Sequence, residues 1–116
     1  MTVLNVDDST TMRKIVSLAL QGKGCEVAEV GNGQEALDYI RDKGDPDLII
    51  LDINMPVMTG IEFLQTYKGS STIVVLTTQY QDDMRKKALL LGAKAFLTKP
   101  FQKDELISVL QEINVL

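Results

Sequence analysis

The fold is decided by residues 47–56, which read DLIILDINMP. The four consecutive aliphatic residues at 48–51 form a run that is too short for a helix and has no polar face. Such a run is typical of a central strand in a parallel sheet, where helices cover both faces. Asp52 follows the run directly, and Pro56 marks the turn beyond it. The stretch therefore predicts a buried strand with a carboxylate at its carboxyl end.

Strand-like runs alternate with amphipathic segments along the rest of the chain. The runs cover residues 2–6, 26–30, 47–51, 72–76 and 94–98, and the second is mixed enough to suit an edge strand. Apolar residues at 12, 15, 16, 19 and 20 have helical spacing, and later helices are predicted from Asn32, Thr59, Asp82 to Leu91, and Lys103 to Asn114. This alternation predicts a parallel α/β sandwich, doubly wound and flavodoxin-like, with strand order 2-1-3-4-5 in one domain, residues 1–116.

The composition excludes several kinds of site. The chain has 116 residues, 45% of them apolar, with 16 acidic and 12 basic side chains and a formal charge of −4. Histidine is absent, so a Ser-His-Asp triad and any histidine-ligated metal site are excluded. Cys25 is the single cysteine and cannot form an internal disulfide. The acidic balance argues against nucleic-acid binding, and with no long apolar run or signal peptide we expect no membrane contact and a cytoplasmic location.

Polar side chains follow four of the five predicted strands. Asp7 and Asp8 follow the first, Asp52 the third, Thr77 the fourth and Lys99 the fifth. In a doubly wound sheet the crevice beyond the strands' carboxyl ends is the ligand site, so these groups should meet there. Three carboxylates repel one another, and a divalent cation with hard oxygen ligands, such as Mg²⁺, relieves that repulsion. Each residue alone is explained by a helix cap, a turn or surface charge; the set predicts a site.

Five short motifs occur in order along the chain: VDDS at 6–9, LDINMP at 51–56, Gly60, LT at 76–77 and KPF at 99–101. Together they resemble the receiver domain of bacterial two-component response regulators, over essentially the whole chain. Residues 7–14 and 54–56 look most like the stand-alone chemotaxis regulators of that family. The resemblance implies a signalling protein that catalyses only its own phosphorylation and dephosphorylation.

The resemblance also implies a role for each motif residue. Asp52 would be the phosphoacceptor, and Lys99 would pair with Asp52 and with the phosphoryl group. The Mg²⁺ (or Mn²⁺) ligands would be Asp7, Asp8, Asp52 and the backbone carbonyl of Asn54. The Lys99–Pro100 peptide bond is cis in the family, a geometry that an X-Pro bond permits.

The resemblance further implies a switch in which the Thr77 hydroxyl moves to the phosphoryl group and an aromatic side chain fills the space behind it. That aromatic residue is Phe96 here, where the chemotaxis relatives usually carry tyrosine, and plain core packing is the alternative interpretation. The face formed by helix 4, strand 5 and helix 5 would carry the output. Asn54 and Gln79 occupy positions that tune hydrolysis in the family, and since neither is charged the acyl-phosphate lifetime stays open.

The resemblance implies three partners: a histidine kinase as phosphodonor, a downstream protein target (the flagellar motor switch in the chemotaxis branch) and a phosphatase. We expect the chain itself to be a monomer. The alternative is a phosphorelay intermediate, or a receiver domain cut from a larger regulator or hybrid kinase; the start at Met1 slightly favours a short native protein. A Mg²⁺-dependent phosphatase is disfavoured because Asn54 replaces the second acid. A flavodoxin-like cofactor binder would need a phosphate loop where Asp7 and Asp8 stand.

Two basic residues of the first helix, Arg13 and Lys14, have a further interpretation. Charges on such a helix are most simply a solvated face, and contact with an acidic partner surface is the alternative. The sequence assigns neither residue to the crevice.

Overall fold

The computed structural model describes residues 1–78 and 82–116 and contains a five-stranded parallel sheet. The strands are β1 (Thr2–Val6), β2 (Glu26–Val30), β3 (Leu48–Asp52), β4 (Thr72–Thr77) and β5 (Ala95–Thr98). The helices are α1 (Thr10–Ala19), α2 (Gly33–Lys43), α3 (Gly60–Thr66), α4 (Asp82–Leu90) and α5 (Lys103–Glu112). The strand order is β2-β1-β3-β4-β5, so the predicted doubly wound, flavodoxin-like fold is confirmed.

The two faces of the sheet bury separate apolar clusters. Along β1, Leu4 and Val6 pack with residues of α2, α3 and α4, such as Ala36 and Phe63. Val3 points to the other face, where α1 and α5 pack. Because successive side chains of a strand point to opposite faces, both sides of the central strands must be apolar. This requirement explains the unbroken aliphatic runs of β3 and β4, whose residues 48–51 and 73–76 are all buried.

Predicted and observed boundaries differ by one or two residues. β3 begins at Leu48 and includes Asp52, because Asp52 still pairs with Leu76 in the β3–β4 ladder. Asp47 instead accepts hydrogen bonds at its carboxylate from the backbone N–H and the hydroxyl of Thr2. β4 extends to Thr77, which pairs with Thr98 of β5. The strands thus reach one residue further toward the carboxyl edge than the apolar runs indicate.

Helix starts agree closely with the cap residues predicted from sequence. The Asn32 side chain accepts from the Glu35 N–H, and Thr59 and Glu62 form a reciprocal capping box. Ser9 caps α1 by accepting from the Met12 N–H. The predicted edge strand is β2, which among the described strands pairs only with β1 and carries exposed glutamates. Within residues 1–78 and 82–116, every helix falls short of the length and apolar character needed to cross a membrane.

The loop between β3 and α3 contains a strained residue. Val57 has a φ of 71° and lies at the centre of a three-residue turn, because the Met58 N–H donates to the Pro56 carbonyl at 2.8 Å. A positive φ is a genuine outlier for a β-branched residue. The side chain is 80% exposed, so little apolar burial compensates for the strain.

Substitution of Val57 by glycine should therefore stabilise the protein. We expect Val57→Gly to raise the free energy of unfolding by about 1 kcal/mol, since relief of backbone strain outweighs the added entropy of the unfolded chain. Val57→Thr is the matched control: it stays β-branched and should leave stability within about 0.5 kcal/mol of the wild type. Urea unfolding followed by circular dichroism measures both, and a glycine variant no more stable than the threonine variant would contradict the strain.

Candidate functional site

Register between the two central strands places two aspartates side by side. Val6 of β1 pairs with Leu51 of β3, so Asp7 and Asp52 are the next residues on adjacent strands. One carboxylate oxygen each from Asp7, Asp8 and Asp52 lies within 4.8 Å of the others. Asp7 and Asp52 are buried, at 3% and 6% exposure, whereas Asp8 is exposed. The structure thus brings together the three carboxylates that the strand ends predict.

The Lys99 ammonium group lies among these carboxylates. Its Nζ donates to Asp7 Oδ2 at 2.6 Å and lies 3.4 Å from Asp52 Oδ1. The lysine follows β5 directly, and its backbone N–H donates to the Thr77 carbonyl at 2.7 Å. The sequence-based expectation paired Lys99 with Asp52, whereas here its shorter contact is with Asp7. The Lys99–Pro100 peptide bond is cis.

The charges of the cluster do not balance. Three carboxylates face a single ammonium group, which leaves a net charge of about minus two when all are ionised. Carboxylates without sulfur or imidazole partners suit the hard cations Mg²⁺ and Mn²⁺ and disfavour zinc or copper. The exposure of Asp8 leaves one side open to solvent, so water and a phosphoryl oxygen could complete the coordination shell. The residues present therefore fit a Mg²⁺ site.

Burial and repulsion act on the ionisation of Asp52. Burial raises the pKa of Asp52 to about 6, while the nearby Lys99 ammonium opposes that rise and the Asp7 carboxylate adds to it. The backbone N–H of Asn54 donates to the Asp52 carboxylate and also favours ionisation. Asp52 is thus largely ionised at neutral pH, and because its pKa is raised, that ionisation lowers the free energy of unfolding.

Backbone contacts fix the position of two of the aspartates. The Ser9 N–H donates to Asp7 Oδ1 at 2.9 Å, which holds that carboxylate from the loop side. Gly60, at the start of α3, lies so close to β3 that a Cβ there would come 2.5 Å from the Asp52 carbonyl oxygen and 2.7 Å from Ile53 Cα. Only glycine permits this approach, which is why Gly60 belongs to the motif set.

The remaining predicted residues lie around the cluster. Thr77 is buried at the end of β4, one residue beyond the Asp52–Leu76 pair. Phe96 of β5 packs half-buried against the apolar cluster on the face that α4 covers. Asn54 is exposed in the loop after β3. Gln79 lies outside the described residues.

Arg13 is a residue that sequence reasoning missed. Its guanidinium Nη1 donates to the backbone carbonyl oxygen of Asp7 at 2.6 Å, and only 19% of its side chain is exposed. The interpretation of Arg13 as part of a solvated face is therefore wrong. A signal was available: positions 13, 16 and 20 share one helix stripe, and Val16 and Leu20 are buried core residues. Lys14, the next residue, is exposed as expected.

The raised pKa of Asp52 predicts a stability that depends on pH. Between the unfolded pKa near 3.8 and the folded pKa near 6, the native state binds more protons than the unfolded state, so ionisation of Asp52 destabilises the fold as pH rises. In metal-free buffer we expect Asp52→Asn to raise the free energy of unfolding by about 2 kcal/mol near pH 8 and by almost nothing near pH 4. Urea titrations at several pH values with a chelator present measure this difference.

Asp47→Asn is the matched control, because Asp47 directly precedes the start of the strand that ends at Asp52. Hydrogen bonds from the Thr2 backbone N–H and hydroxyl lower the pKa of Asp47, so its contribution has the opposite sign. This variant should be less stable than the wild type near pH 8, and the loss should fade as the pH falls through the lowered pKa. An Asp52→Asn variant that gains no stability over the wild type near pH 8 would contradict a raised pKa at Asp52.

Comparisons with known proteins agree with this geometry. Residues 3–111 match the family described as "Response regulator receiver domain". The chain is 38% identical over 116 residues to "Chemotaxis protein CheY" of Bacillus subtilis, covering 97% of this chain and 93% of that protein. The solved structure of the chemotaxis protein CheY4 of Vibrio cholerae has a TM-score of 0.85 and 38% identity, with 97% of each chain covered.

A third relative is longer than this chain. The chain is 49% identical over 108 residues to the "Protein-glutamate methylesterase/protein-glutamine glutaminase" of Desulfotalea psychrophila. That match covers 87% of this chain but 29% of the relative. Similarity therefore extends both to stand-alone chemotaxis proteins and to one part of a larger protein. On the family match over nearly its whole length, the chain belongs to the response regulator receiver domains of two-component signalling systems.

Proposed function

We propose that the chain is a phosphorylation-activated signalling receiver that accepts a phosphoryl group on Asp52. The observation that carries this proposal is the environment of the Asp52 carboxylate, flanked within 4.8 Å by Asp7 and Asp8 and at 3.4 Å by the Lys99 ammonium group. A buried carboxylate with an ammonium group beside it is suited to attack a phosphoryl group once a divalent cation, held by the acidic rim, offsets the repulsion between the carboxylates and the phosphoryl oxygens. The family match supports the same role.

The proposed reaction is a direct displacement at phosphorus. A carboxylate oxygen of Asp52 attacks the phosphorus of a phosphohistidine on a partner kinase, and a P–O bond forms while the P–N bond breaks. The imidazole leaves with the electron pair of the broken bond. No general base is needed, because an ionised carboxylate is already a nucleophile. These 116 residues contain no histidine, so the donor histidine lies outside them.

Stabilisation of the transferred group is the task of the surrounding residues. A bound Mg²⁺ or Mn²⁺ would neutralise charge on the phosphoryl oxygens. Asp7, Asp8 and Asp52 would hold that cation, with the backbone carbonyl of Asn54 as a further ligand. Lys99 already lies beside Asp52 and would transfer its hydrogen bond from Asp7 to a phosphoryl oxygen.

The proposed switch couples Thr77 to Phe96. The two residues lie on adjacent strands and on the same face of the sheet, because Val75 pairs with Phe96 and Thr77 pairs with Thr98. Movement of the Thr77 hydroxyl toward the phosphoryl group would open space that the Phe96 ring can fill. The new charge thus biases a two-state packing element. Leu90, at the end of α4, is 88% exposed and is an apolar residue available to an output partner.

The proposed partners follow from this scheme. A sensor histidine kinase supplies the phosphoryl group, and a downstream protein, in a chemotaxis pathway the flagellar motor switch, binds the activated face; a phosphatase would end the signal. The second candidate is a receiver that forms part of a larger regulator or a phosphorelay. The observation that favours it is the match to less than a third of the methylesterase. Both roles require the same chemistry at Asp52.

Phosphorylation of Asp52 is tested by intact mass spectrometry. The purified protein is incubated with Mg²⁺ and a small acyl-phosphate donor, which replaces the unknown kinase. We expect a single phosphoryl adduct on the wild type and none on Asp52→Ala, because the nucleophile has been removed. Omission of Mg²⁺, or Asp8→Asn, should slow adduct formation by about tenfold or more.

The control for this experiment is Asp47→Asn, which changes an exposed aspartate just before the start of β3 and should be phosphorylated like the wild type. An unmodified wild type would sink the proposed function. Equal modification of the wild type and Asp52→Ala would show that the phosphoacceptor is a residue other than Asp52.

The switch is tested by NMR with beryllium fluoride, which mimics an acyl phosphate on a carboxylate. We expect the amide signals of Phe96 and of α4 to shift when the mimic binds the wild type. Thr77→Val keeps the volume of a buried side chain but removes the hydroxyl, so it should bind the mimic and lose most of the shift at Phe96. Thr72→Val, at the other end of β4, is the matched control. A full shift at Phe96 in Thr77→Val would contradict the coupling.

A further inference from the structure

The guanidinium group of Arg13 contacts three parts of the fold near Asp7, the first acidic residue of the cluster. Nη1 donates to the backbone carbonyl oxygen of Asp7 at 2.6 Å, and Nη2 donates to Thr10 Oγ1 at 3.3 Å. Nε pairs with Glu29 Oε1 of β2 at 3.3 Å. One side chain therefore connects the end of β1, the start of α1 and the edge strand.

Arg13 is itself held in place. The buried side chain of Asn5, on β1, donates from Nδ2 to the Arg13 backbone carbonyl at 3.1 Å. The other carboxylate oxygen of Glu29 accepts from the Ser17 hydroxyl at 3.1 Å, which fixes the partner of the guanidinium group. A planar guanidinium with several directed donors defines an orientation far better than a single ammonium group would.

The accepting carbonyl belongs to the peptide group that links Asp7 to Asp8. A short charge-assisted hydrogen bond to that oxygen restrains the plane of the peptide, and the plane sets the directions in which both side chains leave the backbone. The Ser9 N–H holds one oxygen of the Asp7 carboxylate. Among residues 1–78 and 82–116, none makes a hydrogen bond or ion pair with the exposed Asp8 side chain, so the Asp8 backbone directs it. The orientation of Asp8 therefore depends on this peptide group.

We propose that Arg13 is a positioning residue for the divalent cation site, acting through the Asp7–Asp8 peptide group. This inference rests on the proposed function, since it assumes that Asp7 and Asp8 hold a cation. Arg13 does not touch the cation in this scheme. Restraint of a ligand's backbone lowers the entropy lost when the ligands are ordered around the ion, as hydrogen bonds to metal ligands generally do.

Electrostatics alone predicts the opposite effect. A positive side chain near an acidic cluster repels a cation, so its removal should strengthen cation binding or, with Glu29 paired to it, leave binding unchanged. Loss of positioning should weaken cation binding. The sign of the change therefore separates the two roles, which a stability measurement would not do.

The experiment measures Mn²⁺ affinity by electron paramagnetic resonance on the full chain, with no phosphodonor present. Arg13→Met keeps the apolar stem and removes every donor, and we expect it to weaken Mn²⁺ binding about tenfold. Arg13→Lys retains the charge and one donor and should recover affinity to within about threefold of the wild type. Lys14→Ala removes a positive charge from the next position of the same helix, where the side chain is exposed, and should bind Mn²⁺ at least as well as the wild type.

Circular dichroism melts identify the temperature range in which every variant is folded, and affinities are compared within it. Weaker binding by Arg13→Met with recovery in Arg13→Lys supports positioning. Equal affinity of Arg13→Met and the wild type, or tighter binding, overturns the role of Arg13 and leaves the proposed function intact. A wild type without measurable Mn²⁺ affinity overturns the cation site and this inference together. If Arg13→Met unfolds, Arg13→Gln replaces it, because it also removes the positive charge: weaker Mn²⁺ binding supports positioning, and equal or tighter binding overturns the inference.

Discussion

A buried ammonium group holds together carboxylates that would otherwise repel one another. Lys99 reaches Asp7 at 2.6 Å and Asp52 at 3.4 Å, and all three residues are less than 10% exposed. One positive charge cannot balance both carboxylates and Asp8 as well, so the edge of the sheet keeps an excess of negative charge in a partly desolvated place. Burial raises the pKa of Asp52 against the opposing charge of Lys99, and repulsion from the Asp7 carboxylate adds to the rise. The folded protein therefore keeps an excess of negative charge at this edge of the sheet. A bound cation would reduce that excess.

Much of this arrangement could be predicted from the sequence, because it depends on the order of strands rather than on side-chain detail. The buried run at 48–51 fixes a central strand, and the doubly wound order then brings the residues after β1, β3 and β5 to one edge. The preference of Lys99 for Asp7 could not be predicted, since it depends on differences of less than 1 Å between two neighbouring oxygens. The helix stripe shared with Val16 and Leu20 indicates that Arg13 is partly buried, but no residue pattern predicts that its acceptor is the backbone carbonyl of Asp7.

The two faces of the sheet carry different groups of residues around the site. Helix α1 packs on one face and supplies Arg13 beneath the acidic residues, while α4 packs on the other face, where Phe96 lies. The central strands separate these regions by the thickness of a single layer. In the proposed switch, a change of charge at the carboxyl edge would affect packing on the face that α4 covers through β4 and β5.

The close approach of Gly60 to β3 has a consequence for how such a protein can diverge in evolution. The Gly60 N–H donates to the Ile53 carbonyl at 2.8 Å, so the segment 54–59 is a loop closed at its base. Exposed side chains within that loop, such as Val57, can be exchanged without moving the strand that carries Asp52. Exposed residues of the loop, which a partner would contact, can then change in evolution while the carboxylate site at the end of β3 stays the same. Gly60 thus lies at the boundary between β3, which carries Asp52, and a loop whose exposed residues are free to vary.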